Sequence, residues 1–221
     1  MIQTSIPLKI NQIQENKILN LVKSNSNDIS LYVYEKNSPV YNFMSIREIF
    51  KMKEYLKRLN NGQRSSTSLI IAEVNEELVG YILYHSSISN SRDLSVISTI
   101  VDAEYRGQGI FKIMMDKLKE LGDSITLTCF LSLVPLYKKI GFEVGGRWES
   151  HIGMFYKEVD DSAQVITVDE EIIYNLPEVK EAKQKFQSNN HNYRDLLNQL
   201  NESTAEEAKK ANNFFLNNSQ K

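Results

Sequence analysis

The chain has 221 residues, of which 41% are hydrophobic and 24% are charged, and its formal net charge at pH 7 is −2. That length allows one sizeable hydrophobic core with a small appendage. A net charge so close to zero argues against a surface that holds a nucleic-acid backbone or an anionic membrane by bulk electrostatics. We therefore expect neither nucleic acid nor a membrane as a partner.

The amino-terminal segment and the single cysteine indicate the compartment. Residues 1–12 lack the charged start and apolar stretch of a secretory leader, and no apolar run approaches the roughly 20 residues that a transmembrane helix needs. Cys129 stands in an apolar run, where a thiol usually packs as a small hydrophobic group. These features predict a cytoplasmic protein without an internal disulfide.

The first sixty residues show two helical patterns. Large aliphatic residues recur at helical spacing over residues 10–22, and a polar cluster at 24–28 ends that pattern. Residues 29–34 are predicted to form a short strand. A second amphipathic helix is predicted to follow the capping-box sequence Ser45-Ile46-Arg47-Glu48 and to end near Asn60.

The middle of the chain alternates strands and helices. Runs at 68–74 and 78–84 flank a polar break and predict an antiparallel hairpin, and another strand is predicted at 94–101. Helical spacing then runs from Ile110 to Gly122, followed by a strand at 125–130 and a short helix that ends at Gly141. Two last strands are predicted at 142–144 and 152–159. This order indicates a single three-layer α/β domain.

The last sixty residues differ from the rest in composition. Large apolar residues become rarer there, while Asn, Gln, Lys and Glu become more frequent. We predict a domain of residues 1–159 and a helical extension of residues 160–221. Apolar residues of the extension either pack back on the domain or form a homodimer or partner contact. They are Phe186, Tyr193, Leu196, Leu197, Leu200, Phe214, Phe215 and Leu216.

A glycine-rich segment at 105–109, Tyr-Arg-Gly-Gln-Gly, joins a predicted strand to a predicted helix. The first turn of a helix has unpaired N–H groups and a positive dipole end, and glycine lets a pyrophosphate approach the backbone closely. The segment lacks the third glycine of a dinucleotide fingerprint and the Gly-Lys-Ser/Thr of a P-loop. It therefore indicates a different anion site, the alternative being a plain turn in which the glycines only relieve steric conflict.

This segment resembles the acetyl-CoA signature of the GNAT superfamily, Arg/Gln-x-x-Gly-x-Gly/Ala. Arg106 and Gly109 match the signature, and Val101 and Tyr105 match the usual approach to it, whereas Phe111 replaces the last small residue.

A second stretch, residues 136–142, is similar to the family's Leu-Tyr-x-x-x-Gly-Phe segment and contains Tyr137. Phe130 stands where many members have an asparagine seven residues before this tyrosine.

The resemblance covers about residues 69–156 and implies a GNAT-type three-layer α/β fold. Its mixed, mostly antiparallel central sheet would be splayed between strands 4 and 5. The implied function is an N-acetyltransferase that transfers an acetyl group from acetyl-CoA to a primary amine of a protein or small molecule, by direct attack in a ternary complex and without a metal. The alternative is a GNAT fold that binds acyl-CoA without turnover or serves as a protein-interaction module.

The resemblance also implies site residues. Tyr137 matches the family's general acid by position, and a tyrosine with a pKa near 10 can donate to a thiolate at neutral pH; the alternative is a half-buried core residue. The base stays open, because the predicted fourth and fifth strands hold no carboxylate. Candidates are Glu73, His85, Glu149 and His151, or an ordered water. Cofactor binding is predicted at Thr99, Ile100, Val101, Arg106, Gly107, Gln108, Gly109, Ile110, Phe111 and Lys112.

Overall fold

A computed structural model of the chain describes residues 1–60, 66–157 and 167–218. Seven strands form one sheet: β1 (Ile2–Ser5), β2 (Thr67–Val74), β3 (Glu77–Ser86), β4 (Asp93–Val101), β5 (Ser124–Cys129), β6 (Glu143–Trp148) and β7 (His151–Tyr156). Their order in the sheet is β1-β2-β3-β4-β5-β7-β6. Neighbouring strands are antiparallel except β4 and β5, which are parallel. The predicted mixed, mostly antiparallel sheet is confirmed, with β1 as an additional edge strand.

The helices lie on both faces of the sheet. They are α1 (Gln12–Ser24), α2 (Ser26–Ile29), α3 (Tyr41–Asn60), α4 (Ile110–Leu121), α5 (Val134–Lys139), α6 (Glu170–Asn175), α7 (Pro177–Asn189) and α8 (Tyr193–Asn218). One core joins α1, α3, α6 and α7 to the sheet, and the other joins α4 and α5 to its opposite face. The predicted three-layer arrangement is therefore confirmed. In the described part of the chain, no helix is both long and apolar enough to cross a bilayer.

Strand alternation divides the apolar residues between the two cores. Along β2, Leu69 and Ile71 face α1 and α3, whereas Ile70 and Ala72 face α4. Successive side chains of a strand point to opposite faces, so a strand covered on both sides needs a nearly continuous apolar run. That requirement explains the nearly continuous runs of buried residues in β2 and β3.

Local sequence determines where several helices begin and end. Asn11 caps α1 by accepting a hydrogen bond from the Gln14 N–H, and the Gln14 side chain accepts one from the Asn11 N–H in return. Gly122 ends α4 as predicted, and Pro135 occupies the first turn of α5, where its missing N–H costs nothing.

The predicted strand at 29–34 is wrong. The chain forms the short helix α2 and then an irregular segment whose backbone groups bond to distant side chains. Val33 N–H donates to the Thr204 hydroxyl at 3.0 Å, and the Ser150 hydroxyl donates to the Leu31 carbonyl at 2.6 Å. These partners replace the strand neighbour that residues 29–34 would have needed.

The capping box predicted at Ser45 is also wrong. Helix α3 begins four residues earlier, at Tyr41, and the Ser45 hydroxyl donates to the Tyr41 carbonyl inside the helix. Glu48, expected to reach back to the helix start, instead lies buried beside Arg47. The last predicted strand, 152–159, is observed as His151–Tyr156; its residues 158–159 and the predicted domain boundary lie outside the described residues.

Strands β4 and β5 diverge soon after they begin. Pairing between β4 and β3 extends to Val101, but pairing between β4 and β5 involves only Asp93, Leu94 and Ser95 on the β4 side. Beyond that point β5 pairs with β7 alone. The predicted splay is thus confirmed, and it opens a cleft between the second halves of β4 and β5.

A buried group of charges fastens the extension to α3. The Arg47 guanidinium donates to Glu48 at 3.1 Å and to Glu170 of α6 at 2.6 Å. It lies 5.0 Å from the ring centroids of both Tyr32 and Tyr174. Burial raises the pKa of Glu48, and the nearby Arg47 charge opposes that rise. The Arg47 side chain is only 3% exposed, so little solvent screens these contacts.

Replacing Arg47 with methionine should lower the free energy of unfolding by about 3–5 kcal/mol, because Glu48 is left buried without its cation. Urea denaturation at pH 7 measures the loss. The loss should shrink as the pH falls, since protonation removes the uncompensated charge of Glu48. Glu170→Gln serves as the comparison and should cost less, because Glu170 is 38% exposed; equal losses for the two variants would contradict this interpretation.

Candidate active site

The turn between β4 and α4 has the geometry of an anion site. Gly107 and Gly109 have φ angles of 79° and 81°, in the left-handed region that favours glycine. A Cβ on either glycine would meet no atom within 4 Å beyond its neighbours in the chain, so the space beside the turn is open. Among the described residues no side chain caps the start of α4, and its first turn has no acidic residue. Its first N–H groups and dipole therefore face that space.

The Arg106 side chain fastens this turn to the rest of the protein. Its Nε donates to the Val101 carbonyl at 3.1 Å, and a terminal nitrogen donates to Asn25 Oδ1 at 2.7 Å. Asn25 is buried and donates to the Leu21 carbonyl at 2.8 Å. Gln108 likewise donates to the Glu104 carbonyl at 3.3 Å. Arg106 thus braces the turn against β4 and against the residue that follows α1. Its role as a charge beside an anion stays a prediction.

The hydrogen-bond alternation along β4 decides which main-chain groups face the cleft. Asp102, the residue after β4, lies opposite Val79 in the register of β3 and β4, and its N–H donates to the Val79 carbonyl at 2.8 Å, so these two residues turn their main-chain groups toward each other. In an antiparallel ladder every second residue does so. Ile100 therefore turns its N–H and C=O toward β3, whereas Thr99 and Val101 turn theirs toward β5. The divergence of β5 leaves the Thr99 groups and the Val101 N–H directed into the cleft, while the Val101 carbonyl accepts the Arg106 hydrogen bond.

Thr99 brings a buried hydroxyl to the same place. It pairs with Ile82, whose side chain lies in the core with α4, so the Thr99 side chain lies on the α4 face. Its Oγ1 is buried and has no hydrogen-bond partner among the described residues. Buried polar atoms are nearly always hydrogen-bonded. The cleft is thus suited to a ligand that brings polar groups between the strands.

Tyr137 of α5 lies on this α4 face as well. Its ring is in edge-to-face contact with Phe111 of α4, at 5.5 Å between centroids, and with Phe142 at 5.7 Å. Burial raises the pKa of the Tyr137 hydroxyl well above its usual value, and the neighbouring Cys129 acts in the same direction. The phenol therefore holds its proton throughout the neutral pH range.

His151 lies beside the open end of β5. Its Nδ1 is 3.3 Å from the Thr128 hydroxyl, and its ring centroid is 4.3 Å from that of Phe130. Burial lowers the pKa of His151 to about 4, opposed by the Ser30 main chain and by the Glu207 carboxylate. The imidazole is therefore neutral at pH 7 and has a lone pair to accept a proton.

The other candidate bases lie elsewhere. Glu73 is on β2, separated from β4 by β3, and accepts a hydrogen bond from Gln14 at 3.4 Å. His85 pairs with Ser95, at the end of the sheet where β4 and β5 are still joined. Glu149 is exposed in the turn between β6 and β7. The structure brings Thr99, Val101, the turn and Tyr137 together on one face of the cleft, and of the four candidate bases only His151 lies at its open end.

Comparison with known proteins identifies the family. The model of the acetyltransferase (GNAT) family matches residues 31–142. The chain belongs to the GNAT family. The general chemistry of this chain is therefore acyl transfer with a CoA-type cosubstrate. The matched segment includes α3, β2 to β5, α4 and α5, and thus the turn and Tyr137, but it stops before His151 and the extension.

Two solved structures show the same fold. The PaiA N-acetyltransferase from Thermoplasma acidophilum, solved in complex with coenzyme A, aligns with a TM-score of 0.56 at 14% identity, over 71% of this chain and 99% of that chain. The PH1933 protein from Pyrococcus horikoshii aligns with a TM-score of 0.52 at 18% identity, over 72% of this chain and 99% of that chain. No curated protein matches the chain. The alignments include 99% of each of these two structures, and more than a quarter of this GNAT chain lies outside them.

Two residues near the GNAT cleft could not be found from the sequence. Asn25 and Thr128 are ordinary polar residues outside any motif, and only the folded chain brings Asn25 to Arg106 and Thr128 to His151. Phe111, which replaces the last small residue of the signature, contacts the Tyr137 ring.

Cys129 should be unreactive toward iodoacetamide at pH 8 in the folded protein, because burial raises the pKa of its thiol to about 12. Mass spectrometry after timed alkylation measures the modified fraction. The same experiment in denaturant is the control, and there the thiol should be modified rapidly. Rapid labelling of the native protein would show that this side of the cleft is open to solvent.

Proposed function

We propose that the protein is an N-acetyltransferase that transfers the acetyl group of acetyl-CoA to a primary amine by direct attack in a ternary complex. The observation that carries this proposal is the cleft between β4 and β5, into which the main-chain groups of Thr99 and the Val101 N–H are directed. The anion-binding turn lies at the end of β4, and Tyr137 lies on the same face. Each of these parts comes from a different element, and together they match the needs of one extended thioester ligand.

Acetyl-CoA fits the residues present and would supply an activated acyl group. The main-chain groups of Thr99 and the Val101 N–H suit the amides of the pantetheine arm, and the unpartnered Thr99 hydroxyl offers one more hydrogen bond. Ile100 contributes packing alone, because its main-chain N–H and C=O are directed toward β3 and not toward the cleft. The pyrophosphate would bind at the turn, whose residues are Arg106, Gly107, Gln108, Gly109, Ile110, Phe111 and Lys112.

Tyr137 serves as the general acid. Burial keeps its hydroxyl protonated, so it can give a proton to the sulfur that leaves when the carbon–sulfur bond breaks. The amine must lose a proton in the same reaction. Glu73 lies on the far side of β3 from β4, and His85 lies at the end of the sheet where β4 and β5 are joined. His151 lies at the open end of β5, and this position favours His151 as the proton acceptor.

One observation favours a second candidate function, a GNAT fold that binds acyl-CoA without turnover. The diverging parts of β4 and β5 hold no carboxylate, and the imidazole of His151 is a weak base because burial lowers its pKa to about 4. A thiol-release assay with acetyl-CoA separates the two functions. The amines are n-butylamine, spermidine, lysine and a peptide with a free amino terminus. Tight binding of acetyl-CoA without thiol release from any of them would support the second function.

Tyr137→Phe should lower kcat about 100-fold while leaving the Kd for acetyl-CoA unchanged, because the variant loses a proton donor but keeps its ring contacts. Thiol release and calorimetry give the two values. Tyr156→Phe is the matched control, since Tyr156 also contacts Phe142 but pairs with Ile125 at the joined end of the sheet. A parallel loss of binding in Tyr137→Phe would contradict the assigned role.

Gly109→Asp should abolish the binding of acetyl-CoA measured by calorimetry. The substitution places a carboxylate where the pyrophosphate would lie and forces a non-glycine residue to φ 81°. Gly146→Asp is the matched control, because a Cβ there also meets no atom within 4 Å but lies on β6. If wild type fails to bind acetyl-CoA, the proposed function is wrong.

A further inference from the structure

One face of α8 packs against the domain along most of its length. The helix has 26 residues and is about 39 Å long at 1.5 Å per residue. Side chains at Leu200, Thr204, Glu207, Ala211 and Phe214 recur at helical spacing and share that face. Leu200 is 7% exposed and Ala211 is fully buried. The Glu207 side chain is 19% exposed, so this face contains a largely covered carboxylate.

The packed face of α8 closes over the loop that precedes α3. Thr204 accepts a hydrogen bond from the Val33 N–H at 3.0 Å, and the Leu31 carbonyl accepts one from the fully buried Ser150 at 2.6 Å. The loop is thereby held between α8 and the turn that joins β6 to β7. His151 follows Ser150 directly, and the Glu207 charge reaches it.

Thr128 connects His151 to the cleft. The neighbours of Thr128 on β5, Leu127 and Cys129, face the core with α4 and α5, so Thr128 lies on the opposite face. Thr128 is exposed, and its hydroxyl is 3.3 Å from His151 Nδ1. Tyr137 and Thr128 therefore lie on opposite faces of the sheet at the place where β4 and β5 diverge.

We propose that α8 completes the acceptor side of the active site: the Thr128 hydroxyl takes the proton of the attacking amine and passes its own to His151, and Glu207 stabilises the imidazolium that results. This inference rests on the N-acetyltransferase function proposed above. Thr128 is the group that touches the amine, whereas His151 and Glu207 are positioning residues that act through it.

The proton transfers balance. As the amine nitrogen bonds to the acyl carbon and the carbon–sulfur bond breaks, the nitrogen's proton moves to Thr128 Oγ1 and the Thr128 proton moves to His151 Nδ1. The sulfur takes the electron pair of the broken bond and the Tyr137 proton. Exchange with water then returns a proton to Tyr137 and removes one from His151. The tautomer required has its resting proton on Nε2, which is buried with no hydrogen bond of normal geometry among the described residues.

The groups that act on His151 include one carboxylate. They are Thr128 from β5, the Phe130 ring, the main chain of Ser30 and, from α8, Glu207, which also pairs with the exposed Lys210 at 3.2 Å. Desolvation disfavours the charged imidazolium, and a nearby negative charge opposes that effect. Without Glu207, His151 would accept a proton less readily.

The first experiment compares Thr128→Val, which removes the hydroxyl, with Thr128→Ser, which keeps it. Thr128→Val should lower kcat about 100-fold with the Kd for acetyl-CoA unchanged, and Thr128→Ser should retain most of the activity. If the wild type is active and Thr128→Val is equally active, this inference is overturned, whereas the proposed N-acetyltransferase function still holds. A wild type that binds acetyl-CoA but releases no thiol with any amine of the panel overturns the proposed function, and the role of Thr128 with it.

The second experiment needs no amine substrate. Histidine ring resonances are followed by NMR across a pH titration of the full chain, with His151→Gln to assign the His151 signal. In Glu207→Gln the His151 titration should shift to lower pH, because the charge that favours the imidazolium is gone. Glu206→Gln is the matched control on the exposed face of α8 and should leave it unchanged. An unchanged His151 titration in Glu207→Gln overturns the contribution of α8.

Discussion

The early divergence of β4 and β5 is the constraint on which the rest of the molecule depends. Neighbouring strands normally exchange hydrogen bonds along their shared length, and here the exchange stops at Ser95. The main-chain groups of Thr99 and the Val101 N–H then face a side where no strand lies, whereas the Val101 carbonyl is bonded to Arg106. A buried polar group without a partner costs about 1–3 kcal/mol. An extended ligand with amides can take the place of the missing strand. Recognition of the ligand thus uses the same kind of hydrogen bond that holds the sheet together.

Divergence also divides the chemistry between two faces of the sheet. The turn and Tyr137 lie on the face with α4 and α5, whereas Thr128 lies on the other face, where its hydroxyl forms a hydrogen bond with His151. Burial raises the pKa of the tyrosine and lowers that of the histidine, because desolvation favours the neutral form of each. A single physical cause therefore keeps the tyrosine protonated and the histidine unprotonated at neutral pH.

Much of this arrangement could be predicted from the sequence, because short-range patterns govern it. The glycines of the turn, the alternation in β2 and β3 and the helical spacing of α4 act within a few residues, and each was predicted correctly. The irregular segment at 29–34 could not be predicted, since its backbone partners Ser150 and Thr204 lie more than a hundred residues away. Strand β1 is too short for its alternation to distinguish it from a loop. Thr128 and Glu207 belong to common residue types, and only tertiary packing distinguishes them from surface positions.

The hydrogen bond between Val33 and Thr204 spans 171 residues, and that between Arg47 and Glu170 spans 123. Contacts between such distant parts of a chain form late, because closing a long loop costs entropy before the contact compensates for it. A chain leaving the ribosome emerges amino terminus first, so the sheet and its glycine turn are made before α8 exists. The order of synthesis therefore lets α8 pack against β6 and β7 only after the glycine turn and these strands have been made.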